Sequence, residues 1–248
     1  VVEDLPLGKY RIEEVTAPEG YVLNASSKEV EFVYEGQDTP VITETAEFTN
    51  DRQKVSITVE KQDAENGAAV AGAEFGLYNA EDIVSGDKTL VTADTLLETA
   101  ASNERGQAAF TLDLPLGKYY VKELAAPAGF VSSDEILTFD ASYQGQDIPV
   151  VKLESVKKNE PTTVEITKSD ITTGVELSGA SLSVIDKDGN TVDSWVSVKD
   201  EPHVMKRLTA GETYTLRESF APFGYLKTTD ITFTVEDTCL LYTSDAAD

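Results

Sequence analysis

LPLGKYRIEEVTAPEGY at residues 5–21 returns as LPLGKYYVKELAAPAGF at 114–130 and, more loosely, as LTAGETYTLRESFAPFGY at 208–225. A motif that recurs at long, near-constant spacing marks tandem copies of one structural unit. The Ala-Pro-x-Gly-aromatic turns centre on Pro18, Pro127 and Pro222, which are 109 and 95 residues apart. Gly-Gln-Asp stands at 36–38 and again at 145–147, and Lys-x-Asp closes β-rich runs at Lys61–Asp63 (VSITVEKQD) and Lys168–Asp170 (VEITKSD). Each unit therefore runs from a Lys-x-Asp strand to the segment before the next one. Residues 1–52 read as the back half of one unit, 53–160 as a complete unit and 161–237 as a third unit lacking its last strand. The chain opens inside a strand-bearing segment without an initiator Met, so it reads as part of something longer.

Outward from these markers the pattern is short strands of period two. Val55, Ile57 and Val59 alternate with polar residues, and ITFTV at 231–235 does the same. Gly, Asn, Asp and Pro punctuate them at NG (66–67), DGN (188–190) and PLG (115–117). Helical periodicity is confined to TLLETAA at 95–101, which reads as a turn or two of helix. Several short strands per ~100 residues with turns between them specify a sandwich or small barrel. The fold class is all-β, in tandem.

Composition removes several functions. The 248 residues carry 45 Asp+Glu against 20 Lys+Arg, a net charge of −25. A chain so short of cations cannot displace counterions from phosphate, so it is no general binder of nucleic acid, and anionic membrane surfaces are disfavoured likewise. No apolar run reaches the ~20 residues of a membrane span, and no secretion signal opens the chain. One Cys (Cys239) and one His (His203) exclude an intrachain disulfide, a Cys–His dyad and a zinc site of Cys and His. An extracellular life would therefore need some other brace. DKDGN at 186–190 has the start of a calcium loop, but Ser197 stands where the bidentate Glu belongs, so it reads as a hairpin turn. The stretch at roughly 79–108 reads as an insertion of ordinary loop variation.

Alternation also places charged residues inward. Lys61 continues the face of Val55, Ile57 and Val59, and Lys168 that of Val164 and Ile166. Glu14 shares parity with Tyr10 and Ile12, Glu123 with Tyr119 and Val121, and Glu218 with Tyr214 and Leu216. Each taken singly fits a strand end from which the side chain snorkels to water. Repetition in every unit long enough to hold them points to a shared role instead. Desolvation lowers the pKa of such a lysine and raises that of such a carboxyl, leaving an amine nucleophile and a proton donor. An electrophile with matching spacing exists: Asn50 and Asn159 each lie 32 residues after the turn proline. Asn50 shares a face with Phe48 in a last strand, AEFTN. Near Asn159, Lys157 would point inward too, so a bulge or strand end is expected there.

Lys-x-Asp on a first strand, Y-x-Φ-x-E-x-x-A-P-x-G-aromatic, and a late Asn together resemble the Cna B-type, SpaA-like prealbumin-fold domains of Gram-positive surface adhesins and pilins. The resemblance covers residues 1–237, and the third unit also resembles the fibronectin-binding-protein domain used in split peptide tagging. It implies prealbumin-like sandwiches and an autocatalytic isopeptide bond. In the middle unit Lys61 would be nucleophile, Glu123 proton shuttle and Asn159 acceptor. The first unit would keep Glu14 and Asn50 without their lysine. The third would keep Lys168 and Glu218, its acceptor falling near position 254, past Asp248. No cofactor or metal is implied.

The expected role is a stalk or adhesin segment of a cell-wall-associated extracellular protein, with host-matrix or cell-surface partners engaged through other parts of the protein. The alternatives are a ligand-binding module, marked by an exposed aromatic patch, and accessory domains of a secreted hydrolase. Turnover catalysis is not expected. CLLYTSDAAD breaks the strand pattern, so 238–248 reads as a non-native tail. An unfinished third unit would leave an open edge for strand addition by another chain.

Overall fold

The structure, a computed structural model, describes residues 1–237 and the backbone of 243–245. The first unit contributes β1 (Gly8–Glu13) and β2 (Ser27–Phe32), paired antiparallel with Tyr10 opposite Val30. The middle unit follows with β3 (Lys54–Asp63), β4 (Glu74–Asn79), β5 (Ile83–Ser85), β6 (Lys88–Val91) and β7 (Leu96–Ala101). It is completed by β8 (Gln107–Ala109), β9 (Gly117–Ala125), β10 (Leu137–Ala141) and β11 (Val150–Asn159). The third unit holds β12 (Thr163–Thr167), β13 (Ser181–Ile185), β14 (Thr191–Val196), β15 (His203–Lys206), β16 (Thr213–Phe220), β17 (Ile231–Thr234) and β18 (Thr243–Asp245). Among the described residues there is no helix.

Two sheets face each other in the middle unit, ordered β10-β9-β4-β7 and β11-β3-β8. The third repeats them as β14-β13-β16-β17 and β15-β12-β18. Every second residue of β3 is buried, so Val55, Ile57 and Val59 meet Phe75, Leu77, Tyr119 and Val121 from the other sheet. Each such side chain stabilises the fold by about 1.5–3 kcal/mol. A second core gathers Val164, Ile166, Leu182, Val184 and Leu216.

The repeated motif has a local physical meaning. In each copy the aromatic N–H bonds back to the turn proline: Tyr21 to Pro18 at 3.1 Å, Phe130 to Pro127 at 3.1 Å and Tyr225 to Pro222 at 3.0 Å. The glycine between them lies at φ of 88°, 82° and 90° (Gly20, Gly129, Gly224), the third position of a type II turn. Upstream, the Tyr10 and Tyr119 hydroxyls donate to the Pro6 and Pro115 carbonyls at 2.7 Å each, which pins the PLGKY turns.

Four expectations change. TLLETAA is a strand, because β7 pairs with β4 and its partners offer a sheet edge that outweighs weak helical periodicity. The 79–108 stretch is mostly framework, since β7 and β8 hold the positions of β14 and β15; only the β5–β6 hairpin is extra. AEFTN forms no ladder among the described residues; its contacts include the Asn24–Thr49 and Asn50–Val22 hydrogen bonds and Lys28 over the Phe48 ring. Thr243–Asp245 adds as β18, parallel to β12, so the third unit has a short strand on the edge expected to be open. The hydrogen bonds of a ladder come from main-chain groups, so side-chain pattern gave no sign of it. The DKDGN turn joins β13 to β14 as expected, with Asp186 Oδ1 accepting the Asp188 and Asn190 N–H groups at 2.9 and 2.8 Å.

Candidate functional site

β3 and β11 are the outermost strands of the middle unit in sequence, yet they run side by side. Their ladder is parallel and unbroken for ten residues, from Lys54 beside Val150 to Asp63 beside Asn159. The last turn of this ladder sets Lys61 and Asn159 on one inward face, one step apart. Lys61 is 0% exposed and Asn159 2%. Neither snorkels. On the facing sheet β9 continues inward through Tyr119 and Val121 to Glu123, whose Oε2 accepts Asn159 Nδ2 at 2.6 Å. Asn159 Nδ2 also donates to the Val131 carbonyl at 2.8 Å, and the Ser133 N–H reaches the same Glu123 oxygen at 3.1 Å.

Three polar groups at this point are poorly satisfied. Glu123 Oε1 and Asn159 Oδ1 are buried without a hydrogen-bond partner. Lys61 Nζ donates once, to the carbonyl of its neighbour Gln62 at 3.2 Å, and faces the Phe130 ring at 5.5 Å. Burial pushes Lys61 below the ordinary lysine value; Glu123 opposes the fall, Lys157 adds to it and Asp63 opposes it. Unpartnered buried polar atoms cost of order 1–3 kcal/mol each, so a cluster of them in a dry site is a sign of stored reactivity.

The other units hold parts of the same arrangement. In the first, Asn50 Nδ2 donates to Glu14 Oε2 at 2.5 Å and to the Val22 carbonyl at 3.0 Å, while the Asn24 N–H reaches Glu14 at 2.9 Å. Carbonyl and amide thus stand eight and ten residues after the Glu in both units. In the third, the Thr228 N–H reaches Glu218 Oε2 at 2.7 Å, again ten residues on. There Lys168 and Glu218 form a buried ion pair at 3.6 Å, and Glu218 Oε1 has no hydrogen-bond partner. The structure thus joins Asn159 to Glu123, Asn50 to Glu14 and Lys168 to Glu218, while Lys61 shares the inward face of Asn159 on the neighbouring strand; among the described residues the middle unit alone holds all three types.

Lys157 was expected to require a bulge or a strand end. The ladder is regular to Asn159, where β11 ends, and Lys157 points inward at 1% exposure. Sequence reading also missed a second feature, on the opposite face of β9. Tyr78 and Tyr120, cross-strand partners, stack at 5.0 Å with Lys122 Nζ 5.4 and 5.1 Å from their ring centres. Beside them lies a cleft of about 640 Å³ that Lys118, Ile136, Thr138 and Asp140 help to line. Finding it requires the strand register, which alternation within one strand does not supply.

A family model described as SpaA: Prealbumin-like fold domain matches residues 1–47, 55–155 and 162–246. No curated protein matches the chain. Among solved structures, the Bacillus anthracis TIE protein is 24% identical with a TM-score of 0.65; the match covers 97% of this chain and 42% of that one. This chain thus spans under half of that protein. A C-terminal fragment of the pilus adhesin SpaC from Lactobacillus rhamnosus GG is 19% identical, covering 75% of this chain and 83% of that one at a TM-score of 0.45.

Proposed function

The chain belongs to the SpaA prealbumin-like fold domain family, and from that premise we propose that it is a load-bearing segment of a Gram-positive surface protein whose middle unit closes an amide bond between Lys61 and Asn159. The observation that carries this reading is the full burial of Lys61 and Asn159 beside the partly buried Glu123, with Glu123 Oε1 and Asn159 Oδ1 both enclosed and unpartnered. Lys61 Nζ attacks Asn159 Cγ; the new C–N bond forms as the Cγ–Nδ2 bond breaks. Glu123, bonded to Nδ2, relays a proton from the attacking amine to the departing nitrogen, which leaves as ammonia. The reaction occurs once per molecule, so the residues act as catalysts of their own cross-link and of no turnover.

We take the units at the boundaries read from the sequence, 1–52, 53–160 and 161–237. Glu14 and Asn50 await a lysine, and Lys168 and Glu218 an acceptor. A cross-link joining the first and last strands of a unit routes tension through a covalent bond instead of peeling the sheet. Tryptic digestion tests the reading. A branched peptide joining the segments around Lys61 and Asn159 supports it, and recovery of both segments only as separate linear peptides overturns it.

The Tyr78–Tyr120–Lys122 cleft favours a second reading, a module that contacts a host-matrix protein with this face. Retention of the chain on an immobilised matrix protein, lost in Tyr120→Ala, would support it; retention unchanged would remove it.

A further inference from the structure

The inward face of β11 carries a second buried cation beside the first. In the parallel register Lys157 stands directly beside Lys61, and adjacent strands place such partners about 4.8 Å apart. Both lysine side chains are almost fully buried, and like charges on neighbouring buried residues repel, so one charge is favoured over two. Hydrogen bonding decides which. Lys157 Nζ donates to Ser133 Oγ at 2.8 Å, to the Glu135 carbonyl at 3.0 Å and to Glu135 Oε2 at 3.0 Å. All three donors of an ammonium are thereby used, one of them in an ion pair. Lys61 Nζ has the single 3.2 Å bond to Gln62.

The remaining charged neighbours do not reverse this. Glu123 faces Lys61 from β9, bound to Asn159, and Asp63 on β3 is paired with Arg207. Glu135 is the carboxylate that meets Lys157. The first unit has Phe48 at the position matching Lys157, two residues before Asn50, so this cation belongs to the middle unit and not to the repeat.

We propose that Lys157 is a positioning residue for the Lys61 amine: its fully hydrogen-bonded ammonium holds the positive charge of the pair, so that Lys61 meets the Asn159 carboxamide unprotonated. The inference rests on the Lys61–Asn159 cross-link proposed above. Lys157 keeps its proton throughout; the bond made, the bond broken and the ammonia released are unchanged. The like charge beside Lys61 also acts in the direction of its lowered basicity.

The full chain, made with a photolabile carbamate on the Lys61 amine, is uncaged by light in denaturant and diluted into buffers from about pH 5 to about pH 10. Loss of one ammonia is followed by intact mass. In Lys157→Met the pH of half-maximal rate is expected to move up by about one unit, with a rate about tenfold lower at neutral pH and convergence with wild type at alkaline pH. Lys157→Arg is expected to restore the wild-type profile. Equal slowing at every pH, or an unshifted profile, would overturn the role while leaving the cross-link standing. No ammonia loss from wild type would overturn both. Should Lys157→Met fail to fold, Asn159→Ala retains both free amines, and NMR titration of the lysine side chains decides. Lys61 is expected to lose its proton at lower pH than its neighbour, and the reverse order overturns the proposal.

Discussion

At the scale of the residue, a buried amine with one weak hydrogen bond makes the unreacted protein sensitive to pH. Lys61 has its folded value below the ordinary 10.5, with burial as the chief cause. The unfolded chain then binds more protons, so unfolding free energy rises with pH through the interval between the folded and unfolded values. Asn159→Ala, which removes the acceptor and leaves the amine free, is expected to gain stability as pH rises from the lowered folded value of Lys61 toward the ordinary lysine value, and adding Lys61→Met should flatten that gain. Denaturant midpoints at several pH values check this. Tyr119, pushed up to about 12 by burial, stays a phenol throughout the same range. Its hydroxyl bond to the Pro115 carbonyl predicts a loss of about 1 kcal/mol in Tyr119→Phe, read from the same titrations. Inward parity made Lys61 and Glu123 legible in the sequence, because alternation has a strict period of two, and the 32-residue spacing from Pro127 made Asn159 so. Lys157 was legible as inward but not as satisfied: Ser133 and Glu135 lie 24 and 22 residues away, on another segment.

At the scale of the element, the ladder of β3 and β11 sets Lys61 and Asn159 on one inward face. A close backbone approach helps to support its end. The Lys61 N–H bonds to the Gly106 carbonyl at 2.7 Å, and Gly106 lies at φ 75° in the turn before β8. A Cβ there would fall 2.5 Å from the Lys61 carbonyl oxygen, a rigid main-chain atom that cannot step aside. Gly106→Ala is therefore expected to cost about 3 kcal/mol or more through strained backbone and displaced β3. Denaturation in an Asn159→Ala background measures it, and a change under about 1 kcal/mol would contradict the packing described. Strands with clean alternation, β3, β9 and β16, were legible. β7 and β18 were not: the first depends on a sheet edge offered by β4, the second on main-chain pairing that carries no side-chain code.

At the scale of the whole molecule, neighbouring units are joined by contacts beside the Lys61–Phe130 cluster. Arg207 of the third unit pairs with Asp63 and lies 5.9 Å from the Phe130 ring, the same ring that Lys61 faces. Lys206 pairs with Glu65, and Ser132 holds Asp237 at 2.8 and 2.5 Å. The first unit is joined to the second by Gln146, whose side chain accepts the Ala17 N–H and whose carbonyl accepts the Leu23 N–H, each at 2.9 Å. The Gly-Gln-Asp marker is thus a joint between units, a role that sequence spacing alone does not disclose. Burial raises the Asp63 carboxyl, but the Glu65 N–H and Arg207 outweigh it and hold it below the usual value. Its contribution is present above the unfolded value near 4 and is lost as pH falls through the depressed folded one. Arg207→Ala is expected to weaken the joint by about 1.5–3 kcal/mol, seen as faster proteolysis near 160–163 and a broader angular distribution in solution scattering.

Closing the roughly 100-residue loop between Lys61 and Asn159 would stabilise the middle unit by about 4–5 kcal/mol through its unfolded state. The central claim is tested most directly by the intact mass of the purified chain beside Lys61→Ala and Glu123→Ala. The account predicts that the wild type lacks one ammonia and that both variants keep their full mass. A wild type at full mass would contradict it, and would leave Lys61, Glu123 and Asn159 as a buried polar cluster without a bond.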